Sequence, residues 1–293
     1  MIKIKRLIDC TIAEAVKSWN EGFAGYYIDT TTTPENLIKR MVNEDLSPLL
    51  SIVAFKDNQP IGIVMNGVRK VKGKKVAWNG GTGVAKEYRS KGVGKILIES
   101  TLSILKEEGV DLATLEAISN NTKAISLYKN MGYLIYDNLE YLTLKGKLLQ
   151  NPIKDSNRKY NVERVAPQQI GQLLFYKTMN PWQTQWQSAK NGEGIIVKDD
   201  SGNELGYAYY QKIFNSQGRH LSTILFQCES KPDLTDSEEI VYFMLGEVFG
   251  DFKDDIIRTI TNLPITKSEL PLTILKQIGF QTIAQQVYMT KEM

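Results

Sequence analysis

Two tandem α/β domains, each a mixed central sheet flanked by helices, are what this 293-residue sequence predicts. Three observations carry the expectation. The chain is longer than most single hydrophobic cores. Residues 49–85 alternate apolar strands with turn signals, and helix, strand, helix and strand patterns follow. The same series then recurs at an offset of 144 to 147 residues.

Each element follows from local pattern. The first residues alternate apolar with polar side chains and read as a strand; they lack the uninterrupted apolar core of a secretion signal, so a cytoplasmic protein is expected. Residues 12–41 read as two helices joined by a loop rich in Tyr and Thr. Strands at 49–55, 61–68 and 76–85 are separated by the turns 56–60 and 71–75. An amphipathic helix over 92–108 stops at Gly109, a strand occupies 110–118, and a helix from Thr122 to Asn130 stops at Gly132 before a strand near 139–144. In the second copy, strands at 194–198, 204–213 and 221–228 repeat the meander, and the helix ending at Gly279 precedes a strand near 286–290. The boundary is expected in the polar stretch 150–158, which makes residues 1–150 one domain and residues 160–293 the other.

Composition excludes several function classes. The chain is 42% hydrophobic and 24% charged, and no apolar run approaches the ~18 residues that span a bilayer, so no membrane segment is expected. Cys10 and Cys228 lie far apart and His220 is the only histidine, which leaves little material for a zinc site or a histidine-based triad; no metal is expected. The first half is the more basic, but several of its basic residues fall in one glycine-containing loop, where a small phosphate ligand would account for them, so the charge is a weak signal for nucleic acid. A homodimer is compatible with the sequence, which does not specify an oligomeric state.

That loop is Arg89, Ser90, Lys91, Gly92, Val93, Gly94 and Lys95, placed where a strand hands over to a long helix. Glycines let the main chain approach a ligand closely, and the start of the helix presents unpaired N–H donors and the positive end of its dipole. A pyrophosphate is the expected ligand. Two nucleotide motifs fit poorly: Leu97 stands where a dinucleotide fingerprint needs its third glycine, and Arg89 and Ile96 occupy positions where a Walker A loop needs Gly and Ser or Thr.

The segment resembles the acyl-CoA loop of the GNAT N-acetyltransferase superfamily, whose pattern of Arg or Gln, two residues, Gly, any residue, then Gly or Ala is met by Arg89, Gly92 and Gly94. A second block strengthens the resemblance: Asn121, Ala124, Leu127, Tyr128, Gly132 and Tyr133 stand at the spacing of the family's second CoA-side motif. The likeness covers about residues 1–145. It implies a tandem member whose first domain uses acetyl-CoA as cosubstrate and transfers the acetyl group directly to a primary amine of a small molecule or peptide. Residues 90–95 would hold the pyrophosphate through backbone N–H groups, and an N–H near Val84 would polarise the thioester carbonyl. Asn121 is expected on the CoA side and as a helix N-cap. Tyr128 would return a proton to the departing thiolate, and Glu116 would accept one from the amine directly or through water. Their bland alternatives are ring packing for Tyr128 and a structural hydrogen bond for Glu116. An acyl-CoA sensor that does not turn over is the alternative function.

Trp19, Glu21, Phe23, Tyr26, Tyr27 and Asp29 are candidates for an aromatic, acidic mouth on the acceptor side, with helix core as the alternative for the aromatics. The second copy repeats the pattern without the chemistry: Leu275, Leu263 and Ser268 stand where Tyr128, Glu116 and Asn121 do, and its loop 229–240 contains no Gly and is acidic. A non-catalytic role is expected for it.

Overall fold

The computed structural model describes residues 1–153 and 159–293. They divide into two compact units: residues 1–136 together with 287–293, and residues 137–286. Part of the linker expected at 150–158 lies outside the described residues. Among the described residues, no helix is long and apolar enough to cross a membrane.

The first unit runs β1 (Ile2–Arg6), α1 (Ile12–Phe23), α2 (Pro34–Asn43), β2 (Ile52–Lys56), β3 (Gln59–Val71), β4 (Lys74–Val84), α3 (Val93–Glu107), β5 (Leu112–Ile118) and α4 (Thr122–Asn130). β6 (Leu134–Lys145) begins in this unit. Strands β1 to β4 pair antiparallel in chain order, and β5 joins parallel to β4. The helices start where local chemistry stops the backbone from extending. At α1 the Thr11 hydroxyl accepts from the Glu14 N–H at 3.2 Å while the Glu14 carboxylate accepts from the Thr11 N–H at 2.7 Å, a capping box. These bonds hold the Glu14 carboxyl below its usual pKa. At α2, Thr33 caps and Pro34 supplies a preset φ in the first turn.

α1 packs on one face of the sheet and α3 on the other. The α3 side holds Val93, Leu97 and Ile98 against Ile52, Ala54 and Ile61 and against Ala113, Leu115 and Ala117 of β5. Val287 and Met289 complete that core. They belong to β12 (Gln281–Glu292), the last strand, which starts in the second unit and from Val287 onward belongs to the first. Conversely, β6 passes into the second unit from Asp137. The repeat pattern assigns each closing strand to its own copy; the structure exchanges them. Strand pairing is long-range, so the residues of neither strand mark which sheet it completes.

The second unit contains β7 (Asn161–Val165), α5 (Pro167–Ile170), β8 (Glu193–Lys198), β9 (Glu204–Phe214), β10 (His220–Ser230), α6 (Ser237–Phe249), β11 (Ile257–Pro264) and α7 (Glu269–Ile278). Its meander β8-β9-β10 is antiparallel, β11 lies parallel to β10, and β6 lies antiparallel to β11. The topology repeats that of β2 to β5. Where the first unit has two full helices, the second has α5, of four residues, and single helical turns at Trp182–Thr184 and Trp186–Ser188.

A chain ending at Gln286 loses the buried Val287 and Met289, which at about 1.5–3 kcal/mol for each side chain removes a large part of a domain's stability. Hydrogen exchange on that truncated chain is expected to show lost protection in β5 and α4 with β8 and β9 unaffected. Unchanged protection in β5 would contradict the exchange of strands.

Candidate active site

The site is set by where β4 leaves its neighbour. β4 pairs with β5 only from Val76 to Asn79, opposite Leu112 to Leu115, and beyond Asn79 the two strands no longer pair. At the same point the register against β3 slips by one residue, Asn66 facing Asn79 and Met65 facing Gly81. The bulge reverses which side chains face α3. Ala77 packs on the α3 side before it, whereas Gly81 and Gly83 after it approach Trp19 and Phe23 of α1. Thr82 and Val84 are thereby turned to the α3 side. Asn79 holds the bulge, its side-chain carbonyl accepting from the Gly81 N–H at 3.0 Å and its amide donating to the Thr82 hydroxyl at 2.8 Å.

The Ala85 N–H bonds the Ile61 carbonyl at 2.9 Å. Because hydrogen-bonded and non-hydrogen-bonded pairs alternate along an antiparallel ladder, Val84 directs its N–H and C=O away from β3, into the side vacated by β5. The Val84 carbonyl accepts from Arg89 Nε at 2.8 Å. Arg89 Nη2 also donates to the carbonyls of Gly22 at 3.0 Å and Ala24 at 2.8 Å, at the C-terminal end of α1. The charge expected to face phosphate thus satisfies orphan carbonyls and the negative end of a helix dipole. Arg89 ties α1, β4 and the loop together.

The loop itself turns through two left-handed residues, Ser90 with φ 60° and Gly92 with φ 84°. Gly92 is the N-cap of α3, no side chain caps that helix, and a Cβ at Gly92 would point into open space. A left-handed residue followed by helix aims successive N–H groups into one concavity, suited to an anion. Gly94 serves packing: a Cβ there would lie 3.2 Å from Leu127 of α4. Val93 is buried in the core, so only its backbone is available to a ligand. Ser90, Lys91 and Lys95 are exposed, and Lys95 lies 3.7 Å from Glu99 on the surface of α3.

On α4, Asn121 is the N-cap, its side chain accepting from the Ala124 N–H at 3.2 Å, and it lies near the Tyr26 hydroxyl. Tyr128 is buried, packs edge-on to Tyr133 at 5.9 Å, and its hydroxyl lies near that of Thr82. Burial pushes the Tyr128 phenol up to about 12. Ring packing and a hydroxyl aimed at β4 hold together in one residue.

Glu116 lies on the other face. Alternation on β5 places it opposite Leu115 and Ala117, and its carboxylate accepts from Trp78 Nε1 at 2.6 Å. Tyr128 and Glu116 therefore stand on opposite faces of the sheet, beside the opening where β4 and β5 separate. The aromatic mouth is partly core. Trp19 is buried with its indole N–H on the Thr30 carbonyl at 2.9 Å, and Trp19, Phe23, Tyr26 and Tyr27 form a chain of ring contacts. The Asp29 carboxylate accepts from the Thr31 N–H, and Glu21 lies 3.9 Å from Lys17.

The second unit's counterpart is filled from within. β10 pairs with β11 only as far as Leu225 and Ile260, and Ser230 pairs with Gly206 as Val84 does with Gly62. Next to Ser230, the buried Glu229 carboxylate binds Lys177 Nζ at 2.6 Å and the Ser268 hydroxyl at 2.5 Å. Burial raises the Glu229 pKa against the pull of Lys177 and Ser268. Tyr207 bonds Gln227 at 2.9 Å alongside. The turn before α6 has no glycine, and Glu238 and Glu239 lie in the helix's first turn.

Sequence reasoning missed Thr82, Asn79 and the bracing role of Arg89. A signal existed for the first two: three glycines at 80, 81 and 83 inside a strand pattern mark a bulge or close backbone approach.

Residues 13–133 match the model of the acetyltransferase (GNAT) family. The chain is 33% identical over 86 residues to N-alpha-acetyltransferase 30 of Dictyostelium discoideum, 29% of this chain and 46% of that protein. It is 28% identical over 132 residues to an uncharacterized N-acetyltransferase of Chlorobaculum tepidum, 45% of this chain and 74% of that one. The chain thus spans less than half the length of the Dictyostelium relative. Among solved structures, a GCN5-related N-acetyltransferase from Sphaerobacter thermophilus superimposes with TM-score 0.67 at 12% identity, covering 99% of this chain and 95% of that one. A tandem GNAT protein from the clavulanic acid biosynthesis pathway superimposes with TM-score 0.63 at 10% identity, covering 100% and 98%. The acetyltransferase (GNAT) family match lies on the unit that carries the glycine loop, and the likeness of fold to a tandem GNAT protein extends over the whole chain.

Proposed function

We propose that the first unit is an acetyl-CoA-dependent N-acetyltransferase acting on a primary amine of a small molecule or peptide. One observation carries the reading: a strand freed from its neighbour presents the Val84 N–H, with the Tyr128 phenol and the Glu116 carboxylate on opposite faces of the opening. The uncapped start of α3, its left-handed Gly92 and the open space at that glycine fit a pyrophosphate, so the chain's own groups suit acetyl-CoA. N–H groups of residues 90–95 would hold the phosphates, with Lys91 and Lys95 adding positive charge, while Arg89 keeps the loop and the end of β4 in register. Asn121 would line the CoA side while capping α4.

Acetyl-CoA supplies an activated acyl carbon and a thiolate leaving group. Glu116 takes a proton from the ammonium, directly or through water, because an alkylamine of pKa ~10 is almost wholly protonated at neutral pH. The freed nitrogen forms the new C–N bond, and the Val84 N–H donates to the carbonyl oxygen as negative charge gathers there. As the C–S bond breaks, Tyr128 gives its proton to the sulfur. The nitrogen's second proton, released as the amide forms, restores Tyr128 through water, and the proton on Glu116 leaves to solvent. The Dictyostelium relative's name makes a peptide N-terminus one acceptor to test. The second unit has a Lys177–Glu229 pair where a ligand would approach, which supports a non-catalytic role for it.

Two predictions follow from the assignments. Gly92→Asp places a carboxylate at the anion site, and the resulting repulsion of several kcal/mol weakens acetyl-CoA binding by about 100-fold or more with the protein still folded; unchanged affinity in calorimetry contradicts the loop's role. CoA release measured against amines, aminoglycosides and peptide N-termini is expected to show turnover, reduced about 100-fold by Tyr128→Phe. The Tyr128 phenol, with its pKa raised to about 12, stays protonated below that pH, so no alkaline limb is expected below pH ~10. Acetyl-CoA binding without turnover on any acceptor would favour a sensor instead.

A further inference from the structure

We infer that Tyr288 is an acceptor-positioning residue: with Trp78, Thr114 and Tyr136 it frames the Glu116 carboxylate as the docking point for a primary ammonium that carries an apolar or aromatic arm. The inference rests on the reading of Glu116 as the group that meets the amine. Its novelty lies in where the residue comes from, since Tyr288 follows the whole second unit in sequence and returns to the first unit on the end of β12.

Several observations converge on this cluster. Trp78, Thr114 and Glu116 share the face of β4 and β5 opposite the α3 core, with the Trp78 indole N–H on Glu116 at 2.6 Å. Tyr288 is buried on the face of β12 opposite Val287 and Met289, and β12 runs beside β5, the Met293 N–H bonding the Asp111 carbonyl at 3.1 Å. Burial and the neighbouring Glu116 charge both push its phenol pKa up, so it stays a neutral donor beside the carboxylate. Tyr136 meets the Tyr288 ring edge-on at 5.7 Å and remains 38% exposed, which carries the aromatic surface out to solvent. Leu134, two residues earlier on the same face of β6, is also exposed.

The chemistry of such a floor is selective. A single carboxylate held by neutral donors and bordered by rings attracts an ammonium and accommodates an apolar shaft beside it. A second carboxylate on the acceptor would lie against Glu116 and be repelled. The last residues of the chain thus contribute to the choice of amine.

The test uses the full-length protein and its Tyr288→Phe and Trp78→Phe variants, with 2-phenylethylamine and glutamate as acceptor probes in CoA-release kinetics. Wild type is expected to favour 2-phenylethylamine over glutamate by at least about tenfold in kcat/KM, in line with one like-charge contact. Removing the indole donor from Glu116 raises that carboxyl's pKa, so Trp78→Phe is expected to move the acid limb of the pH profile to higher pH. KM for the amine is expected to rise severalfold in both variants, while acetyl-CoA affinity stays near wild type. Preference for glutamate overturns the substrate class. An unmoved acid limb in Trp78→Phe with an unmoved amine KM in both variants, or a parallel loss of acetyl-CoA affinity, overturns the positioning role. Wild type that turns over neither probe nor any amine of the wider panel overturns the transferase reading itself.

Discussion

Everything at the site depends on β4 leaving β5 after Asn79. A strand inside a sheet spends its N–H and C=O groups on its neighbours, and a ligand can use them only where that pairing stops. The bulge at Asn79 to Gly81 does this with a change of parity, so that Thr82 meets Tyr128 on one face while Gly81 and Gly83 admit α1 on the other. The closeness of α1 is strict: a Cβ on Gly22 would lie 2.9 Å from the Gly83 carbonyl carbon. Arg89 then fixes the separated end from outside the sheet by bonding Val84, Gly22 and Ala24. A cation that looks in sequence like a phosphate ligand is a brace, and no side chain caps the start of α3 beside it.

The two units show what the same splay does with different side chains. In the first, the freed end of β4 is lined by Gly83, Thr82 and a glycine-bearing turn. In the second, the corresponding strand end carries Glu229, which is buried with Lys177 and Ser268, and Tyr207 and Gln227 pair beside it. Removing one member of a buried ion pair costs about 3–5 kcal/mol, so a ligand that displaced Lys177 would meet that cost first. The second fold keeps its shape by making internal the polar contacts that the first offers to a ligand.

Much of this was legible in the sequence. Period-two apolar runs separated by Asp, Asn and Gly turns located the meanders, and the helix from Thr122 to Asn130 has the bounds that its cap and stop signals predict. The family likeness rests on Gly92, Gly94, Asn121 and Tyr128, and the structure places these at the start of α3 and along α4. What the sequence hid was long-range. The exchange of β6 and β12 is a matter of which distant strands pair, which the residues of neither strand report, and Tyr288 beside Glu116 follows from that exchange alone. The partners of Arg89 are carbonyls of a helix end more than sixty residues earlier, and no spacing rule reports them.

The central claim is that one splayed strand end, in the first unit alone, accepts acetyl-CoA. Titration calorimetry of the full-length protein with acetyl-CoA measures this directly through the stoichiometry. One molecule bound per chain is the predicted result; two bound per chain, or none, would contradict it.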